Sequence, residues 1–282
     1  MISQYYDLIA YLVIMGFYLV MAAIYDRHGT MVPDYVTFPY ALLGLFVGAL
    51  QGRFLTVVVG TVLFIMVFIG YCPDWVTRLN RWLIKRAYKT EEAVQAEMES
   101  YDAMAFDFEK RHGKTMRAIA EVLIILTFAI VGIKTIMYFI FGSSMGVEDS
   151  IGKGLLGLLF IAVWTLFSSC GMLPWNDARQ YAQVPEEIEE LSAFGGADVI
   201  IFIGFLGAYG LVGFIYGMIP TAIVYIIACV IRHIKTKNDL GHGQPLIPSI
   251  LVSAPARIAM FLMLAQPMSS LLAWANPVWN LF

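Results

Sequence analysis

Long apolar runs separated by shorter polar segments recur along the chain. A helix needs roughly 20 apolar residues to cross the hydrocarbon core of a bilayer, which is about 30 Å thick. Eight runs approach or exceed this length, at residues 8–25, 36–50, 54–72, 118–141, 153–171, 199–213, 215–231 and 249–273. The pattern therefore predicts an all-α fold, a polytopic membrane bundle of about eight transmembrane helices.

Composition agrees with this fold class. The chain has 282 residues, of which 60% are hydrophobic and only 14% are charged, and this balance excludes an ordinary soluble globular domain. No lysine or arginine precedes the first run, so we predict a retained helix there rather than a signal peptide. The three cysteines form no C-x-x-C pair, which argues against a zinc site.

The basic residues are concentrated in alternate connections between the apolar runs. The connections 26–35, 72–117, 172–198 and 232–248 hold fourteen of the eighteen lysine and arginine residues. Because cytoplasmic connections carry an excess of basic residues, these four are predicted to lie inside the cell. This orientation places the ends of the first and sixth runs, and with them Asp26 and Asp198, on the same cytoplasmic side.

The long charged connection divides the chain into parts. Residues 1–71 form the N-terminal membrane helices, 72–117 a charged cytoplasmic insertion, 118–171 two additional membrane helices, and 172–282 the C-terminal part. Within the insertion, residues 75–86 have the pattern of a basic helix lying on the membrane surface. Residues 90–114 are mixed in charge, and we expect them to be soluble in character.

Two aspartates at the ends of apolar runs are candidates for chemistry. Asp26 follows the first run directly, and Asp198 ends the sequence G-G-A-D just ahead of the sixth run. Ionisable groups at membrane depth are costly and commonly functional. Two carboxylates held close together titrate as a pair, so one can act as a base while the other acts as an acid. Alternatively, each aspartate simply marks a helix end, where the helix dipole favours Asp198.

Several short motifs resemble those of the type IV prepilin peptidases, which are membrane-embedded aspartyl proteases. They are Asp26, residues 33–37 (P-D-Y-V-T), residues 195–198 (G-G-A-D) and residues 245–248 (P-L-I-P). The resemblance covers residues 8–71 and 195–273. It implies that Asp26 and Asp198 are the catalytic pair, with Asp34, Gly195 and Gly196 in supporting roles. Asp34 is the rival of Asp26, but the resemblance places the catalytic aspartate at Asp26, and we expect Asp34 to be structural, with its side chain capping the second helix.

The resemblance also implies a function. It indicates an aspartic endopeptidase of the inner membrane that removes the basic leader of prepilin-like proteins at the cytoplasmic face. We expect no metal and no other cofactor, and partners limited to the substrate and the lipid bilayer, without nucleic acid. Four glutamates ahead of Asp198 would either stabilise the start of a helix or attract the basic leader; these are Glu186, Glu187, Glu189 and Glu190.

Two departures from the family pattern keep other functions open. Four apolar runs separate the aspartates where the family has two, and Ile200 stands where the family usually has a lysine. The sequence Tyr25-Asp26 also fits the signal-peptide-peptidase and presenilin group. From a different class, buried acidic residues occur in ion-coupled transporters, and a non-enzymatic pilus assembly component is a further alternative.

Overall fold

The computed structural model describes residues 2–28, 32–50, 53–68, 78, 82, 91–141, 196–236 and 246–256. Within these ranges the chain is helical and contains no strand, so the all-α prediction is confirmed for them. The helices are α1 (Ile2–Arg27), α2 (Asp34–Leu50), α3 (Phe54–Phe68), α4 (Glu91–Phe141), α5 (Gly196–Thr236) and α6 (Ile247–Val252).

Three helical segments are long and apolar enough to cross a membrane, at Ala10–Arg27, Phe106–Lys134 and Gly213–Ile231. Three shorter apolar helices accompany them, at Asp34–Ala49, Leu55–Val67 and Ala197–Leu211. Together these six segments correspond to six of the eight predicted runs. The run at 153–171 and most of the run at 249–273 lie outside the described residues.

Large apolar side chains cover the outer surface of several helices. On α4, more than half of the surface of Val122, Ile125 and Ile133 is exposed. The same is true of Ile223 and Ile226 on α5. Soluble monomers rarely expose apolar surface on this scale, whereas membrane proteins do so wherever a helix faces lipid. The exposed side chains therefore agree with the membrane class that the composition predicts.

The chain reverses direction inside α5. Gly210 has φ 72° and ψ 173°, a conformation that glycine adopts without strain. Phe202 and Phe205 each place their ring about 6 Å from that of Phe214, at 6.0 and 5.9 Å. In a straight helix twelve residues would span about 18 Å. Thus α5 is a hairpin whose first arm is residues 196–209 and whose second arm is residues 211–236.

Glycines bring α2 and the first arm of α5 into backbone contact. A Cβ added at Gly48 would lie 2.6 Å from the Gly207 carbonyl oxygen, and one added at Gly44 would collide with Gly204. Small residues allow such close approach between membrane helices. The two segments run in parallel, because Gly44 meets Gly204 and Gly48 meets Gly207. This contact fixes the height of the N-terminus of α5 relative to α2.

The helix α4 is longer than the sequence pattern indicated. It runs without interruption from Glu91 to Phe141, so the charged residues 91–114 and the apolar run 118–141 belong to one helix. Phe108 and Met116 are buried, and the hydroxyls of Tyr18 and Thr127 are 3.0 Å apart across α1 and α4. Phe108 therefore contributes to the core, while the charged residues around it, Asp107, Lys110 and Arg111, are exposed.

Candidate functional site

Asp26 links the end of α1 to the start of α6. Its side chain is half-buried, and its Oδ2 accepts a 2.9 Å hydrogen bond from the backbone N–H of Ile247. The backbone N–H of Leu246 also donates to this carboxylate. The first N–H groups of a helix lack partners within the helix, and α6 has no side-chain cap of its own. Asp26 supplies this cap from a distant part of the chain.

The structure gives a role to part of the segment 245–248, one of the motifs that resemble those of the prepilin peptidases. Leu246 and Ile247 provide the N–H groups that hold Asp26, and Pro248 lies in the first turn of α6. Proline is well suited to the start of a helix, where its missing N–H leaves no bond unmade. This short motif therefore forms the backbone cradle of Asp26.

Asp198 is the third residue of α5 and lies in its first turn. Its side chain is half-buried. The partial positive charge of a helix N-terminus stabilises a carboxylate at this position by about 0.3 to 1 kcal/mol. This position agrees with the alternative that Asp198 only stabilises the start of a helix. It also leaves the side chain at the edge of the bundle.

Both aspartates lie within electrostatic range of Tyr225, which no motif identified. Tyr225 interacts electrostatically with both Asp198 and Asp26, and its hydroxyl forms a hydrogen bond with Cys229. The turn at Gly210 explains this arrangement: the first arm rises about 18 Å from Asp198, and the second arm returns about 22 Å to Tyr225. The hairpin therefore carries Tyr225 back to the level of Asp198.

An independent contact places the second arm of α5 beside α6. The hydroxyls of Thr221 and Ser253 are 2.9 Å apart, and both side chains are buried. Tyr225 lies one helical turn beyond Thr221, towards the start of α6 where Ile247 holds Asp26. The contacts of α1, α5 and α6 therefore converge on one end of the bundle.

A signal for Tyr225 was present in the sequence. Thr221, Tyr225 and Cys229 recur at i, i+4 and i+8 within an otherwise apolar run, and this spacing places them on one helical face. Thr221 and Cys229 are buried, whereas Ile223 and Ile226 on the other side are exposed. Three side chains that can form hydrogen bonds therefore share one face of an otherwise apolar helix.

The other predicted site residues have different positions. Asp34 is the first residue of α2 and is exposed, while the Pro33 carbonyl accepts hydrogen bonds from the N–H groups of Val36 and Thr37. Gly196 begins α5. The remaining predicted residues lie outside the described ranges; these are Gly195, Glu186, Glu187, Glu189 and Glu190.

A pair of carboxylates at one end of the bundle has a definite chemical capacity. An ionised carboxylate can take a proton from water, and a protonated one can donate a hydrogen bond to a carbonyl oxygen. In the part of the chain that the structure describes, no group of three or more histidine, cysteine, aspartate or glutamate side chains is arranged to hold a metal ion. Comparisons with protein-family models, curated proteins and solved structures found no match to this chain.

Proposed function

We propose that this protein is an intramembrane aspartyl endopeptidase that cleaves the basic leader from prepilin-like proteins. The observation that supports it best is that Asp26 of α1 and Asp198 of α5 both lie within electrostatic range of the same side chain, Tyr225. The short motifs at residues 33–37, 195–198 and 245–248 support the same family. In this proposal Asp26 and Asp198 are the catalytic residues.

The proposed reaction uses both carboxylates together. One aspartate is ionised and takes a proton from the attacking water, and the other is protonated and polarises the scissile carbonyl. Two carboxylates held close together cannot both be charged cheaply, so in this mechanism one of them carries the proton that the other lacks. The tetrahedral intermediate then collapses as a proton passes to the leaving amine.

The proposal includes a location. The protein would cross the inner membrane about eight times, with its catalytic pair at the cytoplasmic face. The three helices of membrane-spanning length support insertion, and the concentration of lysine and arginine in four connections supports the orientation. A prepilin-like substrate presents a short basic leader ahead of an apolar helix, which brings its cleavage site to this same face.

A cleavage assay tests the proposed specificity. The protein in liposomes is mixed with a prepilin-like substrate or with casein, and the products are identified by mass spectrometry. We expect one cut between the leader and the apolar helix, and intact casein, because only a membrane-inserted substrate reaches the site. Rapid digestion of casein, or no cut in any leader-bearing substrate, would contradict the proposal.

Removing the hydroxyl of Tyr225 is expected to weaken cleavage. Tyr225→Phe keeps the ring but removes the polar group that interacts with both aspartates, so we expect turnover to fall roughly ten-fold, the scale of one hydrogen-bonding group. The measurement is the initial rate of leader release at saturating substrate. Tyr216→Phe, on the same arm about two and a half turns from Tyr225, is the matched control. Equal rates of leader release by the two variants would show that Tyr225 is not part of the site.

A further inference from the structure

An aromatic cluster joins α4 to the end of α1 that carries Asp26. Phe108 is only 5% exposed, although it lies among charged residues. Its ring stacks on that of His28 at 4.7 Å between centroids, and it meets the ring of Tyr25 edge-on at 5.3 Å. These two contacts fall on either side of Asp26 in the sequence. Aromatic pairs of this geometry contribute about 0.5 to 1.5 kcal/mol each beyond the area they bury.

Polar contacts extend the same junction to α2. The hydroxyls of Tyr25 and Tyr35 are 2.8 Å apart, and both side chains are buried. Glu109 and Arg117 form an ion pair on α4, and both interact electrostatically with Tyr25. The junction therefore ties the C-terminal end of α1 to the N-terminal end of α2 and to one face of α4.

The position of this junction matters because α1 ends there. Helix ends fray unless tertiary contacts hold them, and Arg27 is the last residue of α1. On one side, the Asp26 carboxylate is held by the start of α6. On the other side, the neighbours Tyr25 and His28 are held by Phe108. The end of α1 is thus held in place by contacts with α6 on one side and with α4 on the other.

We propose that residues 108–117 of α4 act as a clamp that positions Asp26, with Phe108 as its central positioning residue. The sequence alone assigned this stretch to a cytoplasmic insertion apart from the membrane helices. In the structure it instead supports the wall of the candidate site. This role rests on the proposed function, because it assumes that Asp26 takes part in cleavage.

Phe108→Ala tests the clamp against a matched control. It removes both ring contacts, so we expect kcat to fall roughly ten- to hundred-fold, as small misplacements of catalytic groups do. KM should change by less than about two-fold, because substrate binding is not touched. Phe106→Ala removes the same ring from the same helix at a site that is 73% exposed, and it should cleave like the unchanged protein. Phe108→Tyr keeps the ring, so this variant should retain most of the activity of the unchanged protein.

A second measurement does not depend on cleavage. Hydrogen exchange of the backbone amides at residues 22–28 reports how firmly the end of α1 is held. We expect faster exchange there in Phe108→Ala and unchanged exchange in Phe106→Ala. If the unchanged protein cleaves no prepilin-like substrate, the proposed function fails, and this measurement alone decides whether the clamp exists.

Three results would overturn the clamp. The first is unchanged exchange at residues 22–28 in Phe108→Ala, and the second is an unchanged kcat in an active enzyme. The third is an equal loss in Phe106→Ala, which would indicate a general effect on α4. If Phe108→Ala does not fold, Phe108→Leu replaces it, because leucine keeps apolar volume but cannot stack on His28.

Discussion

Changing either Asp26 or Asp198 to asparagine is expected to abolish leader cleavage, lowering turnover more than about a thousand-fold, because the members of a catalytic unit fail together. Asparagine cannot exchange a proton as a carboxylate does, so either change removes the acid–base function of the pair. The measurement is single-turnover leader release by each purified variant in liposomes.

The design separates catalysis from the structural role of Asp26. Asparagine keeps an oxygen that can accept the Ile247 N–H, so Asp26→Asn should stay folded, whereas Asp26→Ala also removes the cap and should be less stable. Asp34→Asn makes the same chemical change at the exposed first residue of α2 and should retain activity. Near-normal cleavage by Asp26→Asn or Asp198→Asn would refute the catalytic assignment.

The second large effect is expected at the glycine contact between α2 and α5. Gly207→Ala places a Cβ 2.6 Å from the Gly44 carbonyl carbon, and backbone atoms cannot move aside as a flexible side chain would. Overpacking of this kind costs about 1 to 3 kcal/mol of folding free energy. The measurement is the midpoint of unfolding in mixed detergent micelles.

Gly16→Ala is the control for this substitution. No atom lies within 4 Å of an added Cβ at Gly16, and alanine is the better helix former by about 1 kcal/mol. It should therefore leave the unfolding midpoint unchanged or raise it, opposite in sign to Gly207→Ala. An unfolding midpoint that falls equally in both variants would show that the close contact between α2 and α5 does not determine the stability of the protein.

Much of the helical layout could be predicted from the sequence. Apolar runs mark α1, α2, α3 and both arms of α5, and of these α1 and the second arm of α5 contain a segment long enough to cross a membrane. Glycines recur every three residues after Asp198, and two of them, Gly204 and Gly207, make the close contacts with α2. Gly210 has a different role, since its positive φ makes the turn. Glycine spacing alone does not distinguish these two uses.

The long helix α4 was predicted less well. The mixed charges of residues 90–114 indicated a solvated connection, but no proline interrupts the stretch and helix-forming residues dominate it. Nothing in the apolar pattern distinguishes the buried Phe108 from its exposed neighbour Phe106, because the burial of Phe108 depends on Tyr25 and His28 from another helix. Such tertiary contacts leave no periodic trace in a single sequence.

The hydrogen bond between Asp26 and Ile247 has a consequence for the order of assembly. Its partners are 221 residues apart, so Asp26 leaves the ribosome long before the backbone group that holds it. Contacts this distant along a chain form late in folding, after the elements between them are in place. In a partly synthesised chain, Asp26 therefore lacks the backbone N–H groups that hold it in the folded protein. The candidate site would be completed only when α6 has been synthesised and docks against the end of α1.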